Sequence, residues 1–99
     1  MEFNSVHLSG IIATDLGELR KTKDGRSVIN FSIACRKEND RYRSDFIRCS
    51  AFGKIADNIK LYVKKGSHVA IGGRICSEVN HTESGNYYNM FVLIKSIKF

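Results

Sequence analysis

Between Asp45 and Phe52 two kinds of residue alternate. Phe46, Arg48, Ser50 and Phe52 fall on one side of an extended chain, and Ile47, Cys49 and Ala51 on the other. The second set is small and apolar and suits an interior. The first set is aromatic, cationic, polar and aromatic again, and an interior does not take an arginine without a buried partner. That side therefore faces outward and exposes two phenyl rings. Rings on either side of a guanidinium suit one kind of ligand: bases stack on the rings while the cation meets phosphate or stacks too. The competing reading is that Phe46 and Phe52 pack beneath loops or against a second subunit.

Further cations and tyrosines cluster around this segment in sequence. The polar side of residues 28–36 ends in Arg36, and that of residues 67–79 reads Ala70, Gly72, Arg74. Small residues beside a cation leave room for a nucleic-acid strand to lie flat; Gly72-Gly73 equally permits the coiling that a small barrel needs. Arg20, Lys21, Lys23 and Arg26 crowd one loop. Arg36, Lys37, Arg41 and Arg43 flank another, with Tyr42 among them and Glu38 and Asp40 diluting the charge. Tyr87 and Tyr88 stand at the base of the last hairpin. The net charge is +6, which points to a polyanionic partner, although a basic balance also serves solubility alone.

Other chemistry finds little support. His7, His68 and His81 share no ligand spacing, and no paired-carboxylate, P-loop, GxSxG or HExxH pattern occurs. No enzyme activity, metal site or cofactor is expected. Cys35, Cys49 and Cys76 are an odd number without CxxC spacing, and read as reduced, small apolar residues. There is no apolar run of membrane-spanning length and no signal-peptide pattern at Met1-Glu2-Phe3-Asn4. The expectation is a cytoplasmic protein without a membrane partner.

The elements that must hold these residues follow from periodicity. Residues 4–13 alternate, with Val6, Leu8, Gly10 and Ile12 on one side. Lys23-Asp24-Gly25-Arg26 marks a turn. Residues 28–36 alternate with Ile29, Phe31, Ile33 and Cys35 on one side, and residues 37–44 read as a charged loop before the strand 45–52. Over 53–64, Ile55, Ile59 and Tyr62 recur at helical spacing with Ala56 and Val63 alongside, and Gly66 is a candidate C-cap. A strand at 67–79 sets Val69, Ile71 and Ile75 on one side; Asn80 to Asn86 reads as a hairpin loop, and 87–98 as the last strand. The order predicts an all-β single domain over 1–99: a five-stranded OB-fold Greek-key barrel with one helix between strands 3 and 4. Other arrangements of five strands and a helix stay open. In OB-folds the ligand crosses strands two and three and is held by the loops after strands one and four. Those are the places where the charge and the tyrosines fall.

The chain resembles the bacterial and phage single-stranded DNA-binding proteins of the SSB type. The resemblance is carried by Asn4-Ser5-Val6-His7-Leu8-Ser9-Gly10, Phe31-Ser32-Ile33-Ala34, Asp45 through Ala56, Tyr62-Val63-Lys64-Lys65-Gly66, and Val69 through Ile75. It implies sequence-independent binding of single-stranded DNA in replication, recombination and repair. It also implies a homotetramer or dimer, formed partly through the first strand, in the bacterial or phage-infected cytoplasm at the nucleoid. By position, Phe46 matches a base-stacking aromatic that is usually Trp, Phe52 matches a base-stacking Phe, and Arg48, Lys54 and Lys65 match basic positions near the DNA path.

Two departures matter. The family's two further stacking tryptophans fall near Asn39 and Asn80, neither of them aromatic, so either Tyr42, Tyr87 or Tyr88 substitutes or binding is weaker than in the family. The acidic tail that recruits replication proteins is expected to be absent, because the sequence closes on Lys95-Ser96-Ile97-Lys98-Phe99. The alternative resemblance is to primosomal replication protein N, a tail-less dimeric adaptor that bridges replication proteins; Phe46 and Phe52 favour the first. An RNA-binding OB module is the third reading.

Overall fold

The computed structural model describes residues 2–99, without the side chain of Arg41, so the loop charge assigned to Arg41 lies outside the described residues. The elements are β1 (Val6–Ile12), a two-residue β2 (Arg20–Lys21), β3 (Ser27–Lys37), β4 (Asp40–Phe52), α1 (Gly53–Tyr62), β5 (His68–Thr82) and β6 (Gly85–Lys98). With β2 an edge addition on β3, the remaining strands close a ring in the order β1, β5, β6, β4, β3 and back to β1. Every contact in the ring is antiparallel except β4 with β6, which run parallel at Cys49–Val92 and Ser50–Leu93. This is the five-stranded OB-type barrel expected, with its helix between the third and fourth barrel strands.

The alternation read from the sequence is what closes it. Ile29, Phe31 and Ile33 of β3, Cys49 and Ala51 of β4, Val69 and Ile71 of β5, and Val92 and Ile94 of β6 are buried together. Ala56, Ile59 and Val63 plug one end, with α1 packed on β3, β4 and β6. Two glycines permit close strand crossings. A methyl at Gly10 would collide with the Ala34 carbonyl oxygen, and one at Gly73 with that of Leu93. Gly73 lies at a bulge where the β5–β6 register slips.

Several boundaries differ from expectation. Tyr62 is exposed and stacks on Phe99, with ring centroids 5.8 Å apart. Counted from Ala56 and Ile59 at about 100° per residue, Val63 and not Tyr62 falls on the buried stripe. The helix ends at Tyr62, with Val63 already extended. Gly66 is therefore not a C-cap; at φ +93° it belongs to the following turn, where its N–H donates to the Ile12 carbonyl. The loop expected at 37–44 is only the turn Glu38-Asn39, and the one expected at 80–86 only Glu83-Ser84. Both hairpins are longer than their polar sequences indicated. Ile75 is 42% exposed and not core. It lies beyond the last β1 partner of β5, Gly73, on the part of the hairpin that leaves the barrel.

Candidate nucleic-acid interface

The β3–β4 register sets Val28 opposite Phe52, Asn30 opposite Ser50, Ser32 opposite Arg48 and Ala34 opposite Phe46. Directly paired residues share a face. The parallel contact with β6 adds Leu93 beside Ser50, and β5 adds Arg74 opposite Leu93. One outward row thus runs Asn30, Ser50, Leu93, Arg74 across four strands. At the barrel's edge β2 sets Arg20 opposite Val28, in line with Phe52. The sidedness of β4 is as the alternation implied: Phe46 is 69% exposed, whereas Cys49 is 2% and Ala51 0% exposed.

Arg48 is exposed and takes part in no ion pair; among the described residues those are Lys37–Asp45 and Arg43–Asp40. It stands where two clefts meet. One is polar and is lined by Asn30, Ser32, Ser50, Glu78 and Phe91 besides Arg48. The other is apolar and is lined by Phe46, Ile47, Ile75, Met90, Phe91 and Val92. It opens where β4 and β6 part beyond their two paired positions. Phe91 and Arg48 belong to both. Phe91, Glu78 and Met90 are the members that reading the sequence missed. Parity along 87–98 puts Phe91 on the side of Leu93, but its place beside Arg48 depends on the β4–β6 register, which no local pattern carries.

Phe52 is half-buried at the end of β4, with the Arg26 guanidinium 5.3 Å from its ring centroid. Arg26 is held there by a tight turn: its N–H donates to Thr22 Oγ1 at 3.0 Å and its carbonyl accepts from the Thr22 N–H at 2.8 Å. The Thr22 hydroxyl, the Asp24 backbone amide and the Arg26 charge hold the Asp24 carboxyl below its ordinary range. Ile55, Leu93, Ile94 and Lys95 complete the groove around Phe52. Lys54, exposed, follows directly in the first turn of α1.

The other expected residues scatter. Arg74 is exposed and donates to the Cys76 Sγ at 3.3 Å. Arg36 lines a separate cleft with Ser9, Gly10, Ile11, Ala34, Ser44 and His68. Arg43 is paired with Asp40 at 3.4 Å, and the Tyr42 N–H donates to the same carboxylate at 2.9 Å. Lys65 is in the turn after α1, outside the clefts described. Tyr87 and Tyr88 lie in β6, not in a loop, opposite Asn80 and Val79. As neighbours on a strand they point to opposite faces of the hairpin and cannot both serve one surface. Cys35 and Cys49 are poor nucleophiles: burial, and then Cys35, pushes the Cys49 thiol up to about 12, and burial raises Cys35 as well.

The model of the single-strand binding protein family matches residues 3–99. "Single-stranded DNA-binding protein B" of Bacillus subtilis is 32% identical over 98% of this chain and 89% of its own length. "Single-stranded DNA-binding protein" of Halalkalibacterium halodurans is 33% identical over 97% of this chain. That of Oceanobacillus iheyensis is 34% identical over 97%. The chain spans 60% and 62% of the lengths of these last two.

Proposed function

The chain belongs to the single-strand binding protein family, and from that premise we propose that it binds single-stranded DNA through base stacking and phosphate contacts, in support of replication, recombination and repair. The observation that carries the reading is an arginine without a carboxylate partner among the described residues, on an open sheet face between two phenyl rings: Arg48, with Phe46 and Phe91 lining the clefts around it. Such a surface takes any base on its π-face and any phosphate on its charge. It performs no bond chemistry; its work is to bind.

The reading extends to a homo-oligomer, dimer or tetramer. β1 is paired along one edge by β5, but on the other edge by β3 only at Ile11 and Ile12. Those of its N–H and C=O groups from Val6 to Gly10 that point away from β5 are thus an edge on which a second copy can pair. Action in the cytoplasm, where single strands arise, follows from the same reading.

The test is a titration of labelled oligo-dT, with duplex of the same length as control, at low and high salt. The expected result is much tighter binding of oligo-dT, weakening as salt rises. Equal affinity for duplex would overturn the reading.

A further inference from the structure

The polar cleft contains a residue that a phosphate-binding surface has no use for. Glu78 comes from the β5–β6 hairpin and lines the cleft with Arg48, yet the two do not close into an ion pair. A carboxylate repels phosphate, so its place here calls for another role. The opposite wall, from β3 and β4, carries donors beside the Ser32 and Ser50 hydroxyls. The Asn30 side-chain oxygen already accepts from the Ser50 hydroxyl, which leaves the Asn30 amide N–H groups and the Arg48 guanidinium to donate. Donors therefore stand on one wall and an acceptor-only group on the other, with the Phe91 ring beside them.

We infer that this cleft reads the edge of one base, favouring bases with an exocyclic amine, cytosine above all, over thymine. It rests on the nucleic-acid reading of this face and adds selectivity at one subsite. A cytosine lying on Phe91 turns its N4 amine to the Glu78 carboxylate, a pairing that carboxylates make with that group. Its N3 and O2 accept from Asn30 and Arg48. Thymine presents the O4 carbonyl where cytosine has its amine, so two acceptors face each other and the carboxylate loses its water for no bond.

The experiment compares oligo-dC with oligo-dT of one length on the unchanged protein, Glu78→Gln and Glu78→Asp, at a common salt concentration. Taking the ratio of affinities within one oligomer pair and comparing it between proteins cancels the oligomers' own stacking differences. Relative to Glu78→Gln, the unchanged protein should favour dC by on the order of tenfold. Glu78→Asp, which keeps the charge, should retain part of that preference. Glu78 is exposed, so neither substitution disturbs the core. An identical ratio in the unchanged protein and Glu78→Gln overturns the inference while leaving DNA binding intact. Failure to bind either oligomer overturns both.

Discussion

Phe46 and Phe52 carry the same ring on the same face of β4, but their surroundings differ. Phe46 is mostly exposed, on the wall of the open apolar cleft. Little packing is lost when it is cut back, so Phe46→Ala should leave the urea midpoint nearly unchanged. Binding of oligo-dT should weaken by about 5- to 150-fold, the loss of one base–aromatic stack of about 1–3 kcal/mol. Phe52 is half-buried against Ile55 and Leu93, with Arg26 over its ring. Phe52→Ala should therefore lower stability as well as affinity, since it removes both apolar contact and a cation–π partner. Chemical denaturation and fluorescence anisotropy on the two variants separate the effects. A large stability loss in Phe46→Ala would mean that its ring is packed and not displayed.

At the scale of elements the decisive feature is the β5–β6 hairpin, because it brings Glu78 and Phe91 over the β3–β4 face. Its departure from the barrel is set at Gly72-Gly73. An added methyl at Gly73 meets backbone, the Leu93 carbonyl, whereas one at Gly72 meets the end of the Ser96 side chain at 2.8 Å, which can turn away. Gly73→Ala should cost about 1–3 kcal/mol in a urea melt, in the range of overpacked cores, and Gly72→Ala clearly less. Equal costs would mean that the bulge has no special role. The strands inside the barrel were legible because each has one buried face: Ile29, Phe31 and Ile33, or Cys49 and Ala51, repeat every second residue. Past Ile75 both faces of the hairpin meet water, so the period fades, and Asn80, His81 and Thr82 read as loop although they are strand. The same limit hid half of the candidate site. Phe46, Arg48 and Phe52 sit on one strand and could be grouped from it. Glu78 and Phe91 reach Ser32 and Arg48 only through the hairpin's course and a two-residue parallel contact.

For the whole molecule the relevant quantity is where the net charge of +6 remains free. At the tip of the β3–β4 hairpin, Lys37 is paired with Asp45 at 2.6 Å and Arg43 with Asp40 at 3.4 Å. Those pairs present little net charge to a phosphate. Arg48 and Arg74, by contrast, lie on the outward sheet face and neither has a carboxylate partner among the described residues. Counterion release counts the phosphates that a protein neutralises, and for single strands each contributes a slope of about −0.7 to log K against log salt. Arg48→Ala and Arg74→Ala should each flatten the slope measured with oligo-dT across a salt series by about 0.7. Lys37→Ala and Arg43→Ala should weaken binding mildly, because each leaves a carboxylate exposed, and should keep the slope. If Arg43→Ala flattens the slope as much as Arg48→Ala, the phosphate path runs along the β3–β4 hairpin tip and not over the barrel face.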